Sequence, residues 1–221
     1  MINGKRVLGI IPARGGSKRL PRKNVLEFCG KPLIAWTIEE AKKSVWIDQI
    51  TLTSDDKKIL DIGMEYKINC VPRNKELADD SASMNDVVLS EIERFSSSHY
   101  DLICLLQPTS PLRIVEDIDC GITLGMSISV GPTGAPNGAV YVVDVPLFKQ
   151  YAYFGGWVFY MPAERSIDIN TAVDFLEAER LMNARLSSAE RPSKYPRSRC
   201  SIEVYGAVDD EIAHKCAGGN T

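Results

Sequence analysis

The 221-residue chain lacks the features that mark membrane, secreted and zinc-binding proteins. No apolar run approaches the ~18 residues that cross a bilayer, and the first residues do not form a charged-then-apolar signal segment. The six cysteines include no Cys-x-x-Cys pair. With only two histidines, the chain also offers little for a zinc site, which normally needs four ligands. We therefore expect a protein of the reducing cytoplasm that does not engage a membrane.

An excess of positive charge is also missing. The formal net charge is −3 and the pI is about 5.5, so the chain as a whole does not attract nucleic acid. Nucleic-acid binding through a local basic loop is the alternative, and it predicts an affinity that falls steeply with salt. An anionic small molecule must likewise be met by a local cluster of cations.

Short apolar segments that alternate with amphipathic helices indicate an α/β fold with a mostly parallel sheet and helices on both faces. Strands are predicted at residues 6–11, 49–53, 70–71, 101–107, 139–143 and 157–160. Helices are predicted from apolar spacing at Ile34, Ile38, Ala41 and Val45; at Ile59, Ile62 and Tyr66; at Val88, Ile92 and Phe95; and at Phe175, Ala178, Leu181 and Met182. Periodicity is hard to follow between Gly121 and Gly138. We expect one domain over residues 1–186 and an irregular tail over 187–221.

A basic loop follows the first predicted strand and contains no acidic residue. Its five cations are Arg14, Lys18, Arg19, Arg22 and Lys23. Glycines at positions 15 and 16 allow backbone N–H groups to approach phosphate oxygens, to which Arg14 and Lys18 can add charge-assisted hydrogen bonds. The pattern is neither a Walker A loop nor the Gly-x-Gly-x-x-Gly fingerprint. We interpret it as a triphosphate-binding loop; the alternative is a solvated basic turn.

Two further polar segments follow predicted strands. Residues 107–113 place an amide, two hydroxyls and a guanidinium after a buried strand, where they can orient a sugar or a base. The alternative is that Thr109 and Ser110 only form a turn or cap a helix. Asp168 lies just before a capped helix, where its carboxylate can hold Mg²⁺ against phosphate oxygens. Aspartates near helix starts usually serve the helix itself, so this second interpretation stays open.

Four segments in order resemble the acylneuraminate cytidylyltransferase (CMP-sialic acid synthetase) family. They are residues 11–24, 105–113, 136–141 and 166–171. The resemblance implies a Rossmann-like nucleotidyltransferase architecture of the nucleotide-diphospho-sugar transferase type. It also implies the transfer of CMP from CTP to a nine-carbon 2-keto acid sugar (sialic, legionaminic or pseudaminic acid), with release of pyrophosphate.

The same resemblance implies roles for individual residues. Arg14, Lys18 and Asp168 become catalytic residues, and Asp168 becomes the ligand of an Mg²⁺ cofactor. Positions that match the family's substrate-binding residues are Asn24, Arg73, Ser83, Gln107, Thr109 and Asn137. The family positions that correspond to Gln107 and Thr109 face the acidic sugar, whereas those of Asn24, Arg73 and Ser83 help to hold CTP.

The chain departs from the family pattern at three places. Only residues 119–136 connect two segments that the family separates by a much longer stretch, which supplies further sheet and a dimerisation extension; a homodimer is therefore expected only by analogy. Ala135 stands where the family tends to have an arginine suited to a sugar carboxylate. Asn170 replaces an aspartate of the usual Asp-Ile-Asp pattern. The alternatives are a nucleotide-binding relative without catalysis, and CMP-Kdo synthetase, whose opening motif differs at residues 15–18.

Overall fold

The computed structural model describes residues 1–79 and 82–189, and within these ranges the chain forms a central sheet, a small ribbon and six α-helices. The strands are β1 (Val7–Pro12), β2 (Glu27–Phe28), β3 (Lys31–Pro32), β4 (Gln49–Ser54), β5 (Asn69–Pro72), β6 (Leu102–Leu105), β7 (Ser127–Val130), β8 (Pro136–Asp144) and β9 (Trp157–Tyr160). The helices are α1 (Leu33–Lys43), α2 (Lys57–Glu65), α3 (Met84–Arg94), α4 (Val115–Leu124), α5 (Val145–Tyr151) and α6 (Ala172–Ala189).

Seven strands form the main sheet in the order β5-β4-β1-β6-β8-β7-β9. Strands β5, β4, β1 and β6 are parallel to one another, and β8 runs antiparallel to both β6 and β7. The chain proceeds from β1 outward through β4 to β5 and then returns to β6 on the other side of β1. In such sheets the crevice at the carboxyl ends of the two strands where the order reverses is the usual ligand site. That crevice lies between β1 and β6.

Alternating residues of β1 show why helices cover both faces of the sheet. Val7 and Ile11 pack with apolar residues of α1, α2 and α4, whereas Leu8 and Ile10 pack with residues of α3 and α5. All four side chains are fully buried. Because successive side chains of a strand point to opposite faces, a continuous apolar run is what a strand covered on both sides requires. The predicted α/β architecture is confirmed.

Side-chain caps mark the starts of two helices. Asp56 caps α2 by accepting the Lys58 backbone N–H at 2.8 Å, and Ser83 with Asp86 forms the capping box of α3. The predicted extension of α1 to Val45 is wrong, because the helix ends at Lys43 and the Val45 side chain is 71% exposed. An apolar residue at the next helical position does not prolong a helix that has nothing left to pack against.

Residues 121–138, whose sequence pattern predicts no regular element, form the end of α4, strand β7 and a tight connection to β8. The connection closes with the Gly131 N–H donating to the Ala135 carbonyl at 3.0 Å. The short segment is therefore a closed β-hairpin that leaves β7 and β8 paired.

Helix α6 packs on the β2–β3 ribbon rather than on the main sheet. Phe28 and Trp36 meet Ile169, Ala178 and Met182 in a separate buried cluster. The helix continues to its last described residue, three residues beyond the domain boundary expected at 186, and the remainder of the predicted tail lies outside the described residues. No helix within the described ranges is long and apolar enough to cross a membrane.

Candidate active site

A cavity of about 510 Å³ opens at the carboxyl ends of β1, β5 and β6. It is the crevice that the strand order predicts. The loops after these three strands and the segment before α6 supply its walls. Of the nine residues that the sequence predicts for the site, eight line this cavity: Arg14, Lys18, Asn24, Arg73, Ser83, Gln107, Thr109 and Asp168.

The loop after β1 is held against the end of β4 by acidic residues. The Gly15 backbone N–H donates to the Asp55 carboxylate at 2.9 Å, and the Arg22 guanidinium binds the Asp56 carboxylate at 3.0 Å. On its inner side, the Asn24 amide donates to the Arg14 carbonyl at 3.0 Å. Arg22 is thus the one cation of the predicted basic cluster that is absent from the cavity wall.

Positive charge dominates the cavity wall. The charged residues on it are Arg14, Lys18, Arg19, Lys23, Arg73, Asp79 and Asp168. Burial lowers the pKa of Lys23, and the nearby Asp168 carboxylate offsets this in part, whereas Arg19 and Arg14 add to it. Burial likewise lowers the pKa of Arg73. Among the described residues of the wall, five cations stand against two carboxylates, which suits a ligand with several negative charges.

Four residues on the cavity wall have a buried polar atom without a hydrogen-bond partner among the described residues. The atoms are Asn24 Oδ1, Arg73 Nε, Thr109 Oγ1 and Asp168 Oδ1. Buried polar groups are normally paired, so a cluster of unpaired ones in one cavity indicates groups that a ligand satisfies. These four are spread over the loops after β1, β5 and β6 and the segment before α6.

Asp168 is held in place by its neighbours in the segment between β9 and α6. The Ile169 N–H donates to the Thr109 carbonyl at 2.7 Å, and the Lys23 ammonium donates to the Ile169 carbonyl at 2.6 Å. The Asn170 amide donates to Asp168 Oδ2 at 2.8 Å. One oxygen of the carboxylate is therefore oriented by an amide, and the other is the unpaired Oδ1.

The buried Arg113 side chain supports the backbone of the loop that follows β6. It is fully buried, and its guanidinium donates to the Gln107 carbonyl. Burial lowers the pKa of Arg113 to about 10. Its Nε and Nη1 atoms have no hydrogen-bond partner within the part of the chain that the structure describes. A buried cation with incomplete pairing is costly, and such costs concentrate at functional sites.

Asn137, the ninth predicted residue, lies outside the cavity and is almost fully buried. Its Oδ1 accepts hydrogen bonds from Ser129 Oγ at 2.6 Å and from the Ala139 N–H at 3.1 Å. The adjacent Gly138 has a φ of +71°, and a Cβ there would lie 3.1 Å from the Gln107 amide oxygen. The structure thus places this segment behind Gln107, where it determines the room available to that side chain.

Ser83 lines the cavity at the start of α3, but its hydroxyl already serves the helix. It donates to the Asp86 carboxylate at 2.7 Å and accepts the Asp86 N–H at 3.1 Å. Capping and a contact to a ligand are compatible here, because the hydroxyl oxygen has a second lone pair.

Several wall residues were not selected from the sequence. An apolar patch on the wall consists of Leu20, Leu77, Met84 and Val87. Arg19 and Lys23 were recognised only as members of the basic cluster, and Asn170 only as a departure from a pattern. The patch follows no local motif, because its members come from three different segments that only the fold brings together.

Comparison with known proteins agrees with this geometry. The sequence model of the family described as cytidylyltransferase matches residues 8–123, just over half of the chain. The chain belongs to the cytidylyltransferase family. The matched residues include all of β1 but its first residue, the basic loop that follows, and β6 with the Gln107 segment that Arg113 supports.

Curated relatives of this cytidylyltransferase chain act on acidic sugars according to their names. A pseudaminic acid cytidylyltransferase of Campylobacter jejuni is 47% identical over 108 residues, 48% of this chain and 47% of that protein. A CMP-N,N'-diacetyllegionaminic acid synthase of Legionella pneumophila is 42% identical over 117 residues, 51% of this chain and 50% of that protein. The chain spans about half the length of the curated relatives it matches.

A third relative, N-acylneuraminate cytidylyltransferase A of Danio rerio, is 34% identical over 261 aligned positions, 97% of this chain and 59% of that protein. Among solved structures, a CMP:2-keto-3-deoxy-manno-octonic acid synthetase complexed with CTP has a TM-score of 0.67 at 16% identity and covers 82% of this chain and all of that one. A nucleotidyl transferase from Methanothermobacter has a TM-score of 0.65 at 11% identity, with the same coverage. At these identities the structural likeness shows the fold.

Proposed function

We propose that this cytidylyltransferase transfers CMP from CTP to a nine-carbon 2-keto acid sugar, such as pseudaminic, legionaminic or sialic acid, and releases pyrophosphate. The observation that carries the proposal is the cation-rich cavity at the crevice between β1 and β6. Four of its wall residues have a buried polar atom with no hydrogen-bond partner in the described part of the chain. The names of the curated relatives supply the substrate class.

We infer the places of the two substrates in the cavity from the order of the strands. Arg73 follows β5 and Gln107 follows β6, and these strands are separated in the sheet by β4 and β1. We assign cytidine to the Arg73 end, where the apolar patch with Leu77 and Met84 can cover one face of a base. The basic loop after β1 lies between the two ends and receives the triphosphate. The sugar then lies at the Gln107 end.

Asp168 fits a divalent cation, which we propose to be Mg²⁺. Its Oδ1 is buried and has no hydrogen-bond partner among the described residues, while Asn170 orients its Oδ2. The described residues contain no group of three or more acidic, histidine or cysteine side chains that could hold a metal. Mg²⁺ is commonly held by one or two carboxylates together with substrate phosphates, and it supplies charge neutralisation on those phosphates when bound.

The transfer forms a bond between the anomeric oxygen of the sugar and the α-phosphorus of CTP. The bond from that phosphorus to the oxygen bridging to the β-phosphate breaks, pyrophosphate leaves with the electron pair, and the hydroxyl proton passes to solvent. Arg14 and Lys18 stabilise the negative charge that develops on the phosphates. Gln107 and Thr109 hold the sugar so that its oxygen approaches in line with the leaving group.

A pyrophosphate-release assay tests the proposal. CTP is offered with pseudaminic, legionaminic or N-acetylneuraminic acid in saturating Mg²⁺, and release is expected with at least one of them and to be lost in Arg14→Gln. If the protein binds CTP but releases pyrophosphate with none of these acids, the result supports the alternative of a nucleotide-binding relative without catalysis. Faster release with Kdo, an eight-carbon acid, supports the CMP-Kdo synthetase alternative. Either result contradicts the proposal.

A further inference from the structure

The proposed sugar end of the cavity needs a group for the sugar carboxylate. The family position that supplies an arginine before the Pro-Asn-Gly segment is Ala135 in this chain, and it lies in the exposed turn between β7 and β8. Asn137, two residues further on, is buried and bonded to Ser129. Within the described ranges, this region therefore offers the cavity no cation.

Arg19 is a cation of the cavity wall that stands at the sugar end. Its guanidinium Nη2 lies 3.4 Å from the Asn170 amide oxygen. Asn170 in turn is next to Ile169, whose N–H is bonded to the Thr109 carbonyl at 2.7 Å. Because Thr109 follows β6, this chain of contacts places Arg19 on the opposite side of the cavity from Arg73, which follows β5.

The Arg19, Asn170 and Asp168 side chains form a connected row. The Asn170 amide accepts from Arg19 through its oxygen and donates to Asp168 Oδ2 at 2.8 Å through its nitrogen. An aspartate at position 170 would place a negative charge beside the guanidinium and partly neutralise it. The neutral amide orients the guanidinium and leaves its positive charge available to a ligand.

We propose that Arg19 binds the carboxylate of the acidic sugar and that Asn170 positions it for this role. The proposal rests on the proposed function for the identity of the ligand. Arginine suits the task because its planar guanidinium can give two parallel hydrogen bonds to one carboxylate. Its exposure on the cavity wall leaves the guanidinium accessible to the incoming sugar. Arg19 thereby determines specificity for acids over neutral sugars.

The experiment compares each acidic sugar with its C1 carboxamide, which has the same shape and no charge. In the wild type, kcat/KM for the acid should exceed that for the amide by about tenfold or more, because a charge-assisted bond is lost with the amide. In Arg19→Gln the acid-to-amide ratio of kcat/KM should fall towards one, because the KM for the acidic sugar rises. The Kd for CTP should stay within about twofold of the wild-type value. Any intrinsic difference in reactivity between acid and amide cancels in this comparison of ratios.

Matched variants separate this role from a general loss of charge. Arg22→Gln removes a cation from the same loop, but Arg22 is bound to Asp56 outside the cavity, so the acid-to-amide ratio should remain that of the wild type. Arg19→Lys should lower the acid-to-amide ratio less than Arg19→Gln does, since lysine keeps the positive charge and loses only the two parallel hydrogen bonds of the guanidinium. Asn170→Asp should lower the acid-to-amide ratio although Arg19 itself is unchanged.

Two results overturn the proposal: an unchanged acid-to-amide ratio in Arg19→Gln, or a loss that resides in the Kd for CTP, which would assign the guanidinium to the triphosphate. A wild type that releases no pyrophosphate with any sugar overturns the proposed function instead. In that case, calorimetry tests the carboxylate site without turnover. It measures the binding of the acid and of the amide to CTP-saturated wild type and to CTP-saturated Arg19→Gln. Equal binding of the acid to both proteins contradicts the carboxylate site.

Discussion

The Arg165 guanidinium binds the Asp117 carboxylate through two hydrogen bonds, of 3.0 Å from Nε and 2.9 Å from Nη2. Asp117 also accepts the Ile114 N–H at 3.0 Å, at the start of α4. Arg165 lies three residues before Asp168 in the segment between β9 and α6. This pair therefore ties the segment that carries Asp168 to the helix that follows the Gln107 loop.

Arg165→Ala is expected to destabilise the protein by about 3 kcal/mol, because it leaves a carboxylate that is only 4% exposed without its cation. The free energy of unfolding measured in urea checks this. Arg180→Ala is the control, since the Arg180–Glu177 pair on α6 is exposed and its loss should leave the urea midpoint unchanged. Equal effects of the two substitutions would contradict the assigned importance of the Asp117 pair.

Gly15→Ala is expected to disturb the basic loop. A Cβ at this position would lie 2.8 Å from Asp56 Cβ and 2.9 Å from Asp56 Oδ2, so Asp56 must move away from Arg22 and from the start of α2. We expect a loss of about 1–3 kcal/mol in the free energy of unfolding and weaker CTP binding by calorimetry. Gly16→Ala is the matched control for stability, because a Cβ there has no atom within 4 Å. A stable Gly15→Ala protein with wild-type CTP affinity would contradict the prediction.

Much of the fold was predictable because local patterns carry it. A continuous apolar run such as that of β1 indicates a strand buried on both faces, and the spacing of Val88, Ile92 and Phe95 indicates a helix. Strand β7 was missed because Ser127 and Ser129 make it look polar. Both serines are fully buried, and their hydroxyls find partners elsewhere in the chain: the Gly121 carbonyl for Ser127 and the Asn137 amide oxygen for Ser129. Periodicity cannot reveal such pairing between side chains and neighbouring segments.

The candidate site likewise contains residues that the sequence indicates and contacts that only the fold creates. Arg14 and Lys18 stand in a loop whose composition already indicates an anion site. The contact between Arg19 and Asn170 joins residues 151 positions apart, so no local pattern can predict it. Asn137 was assigned to substrate from its motif, yet the structure places it behind the cavity wall. A motif can identify a segment that matters without telling which of its side chains faces the ligand.

Arg113→Met is expected to keep or raise stability and to weaken binding of the sugar. Methionine fills much of the same space without a buried charge, and the guanidinium has two nitrogens that lack partners in the described part of the chain. The Gln107 carbonyl loses the Arg113 donor and keeps, among the described residues, only the Ser110 N–H at 3.3 Å, so the KM for the sugar should rise. Urea unfolding and steady-state kinetics measure the two effects. Arg113→Ala, which leaves a cavity, should cost about 2–4 kcal/mol; an equal cost for Arg113→Met would contradict the argument.

Glu91→Gln is expected to change how stability depends on pH. Burial raises the pKa of Glu91 above its ordinary 4.5, and the Arg94 and Arg73 guanidinium groups offset this in part. The folded state therefore holds this proton more tightly than the unfolded state, and the stability it contributes at low pH is lost as the pH rises through the raised pKa. The gain in unfolding free energy of Glu91→Gln over wild type should grow from about pH 4 to about pH 7. A constant difference across this range would contradict the assignment.

Asn170→Asp is expected to strengthen divalent cation binding about tenfold, because a second carboxylate would stand next to Asp168, whose Oδ1 is unpaired. Titration of free Mn²⁺ by electron paramagnetic resonance measures this without turnover. Asn183→Asp adds the same charge at an exposed position of α6 and should leave Mn²⁺ affinity unchanged. Because the new carboxylate also lies beside Arg19, tighter metal binding should come with a weaker preference for the acidic sugar. If Mn²⁺ affinity does not change, Asp168 is not the metal ligand, and the unpaired oxygen must serve a different group of the substrates.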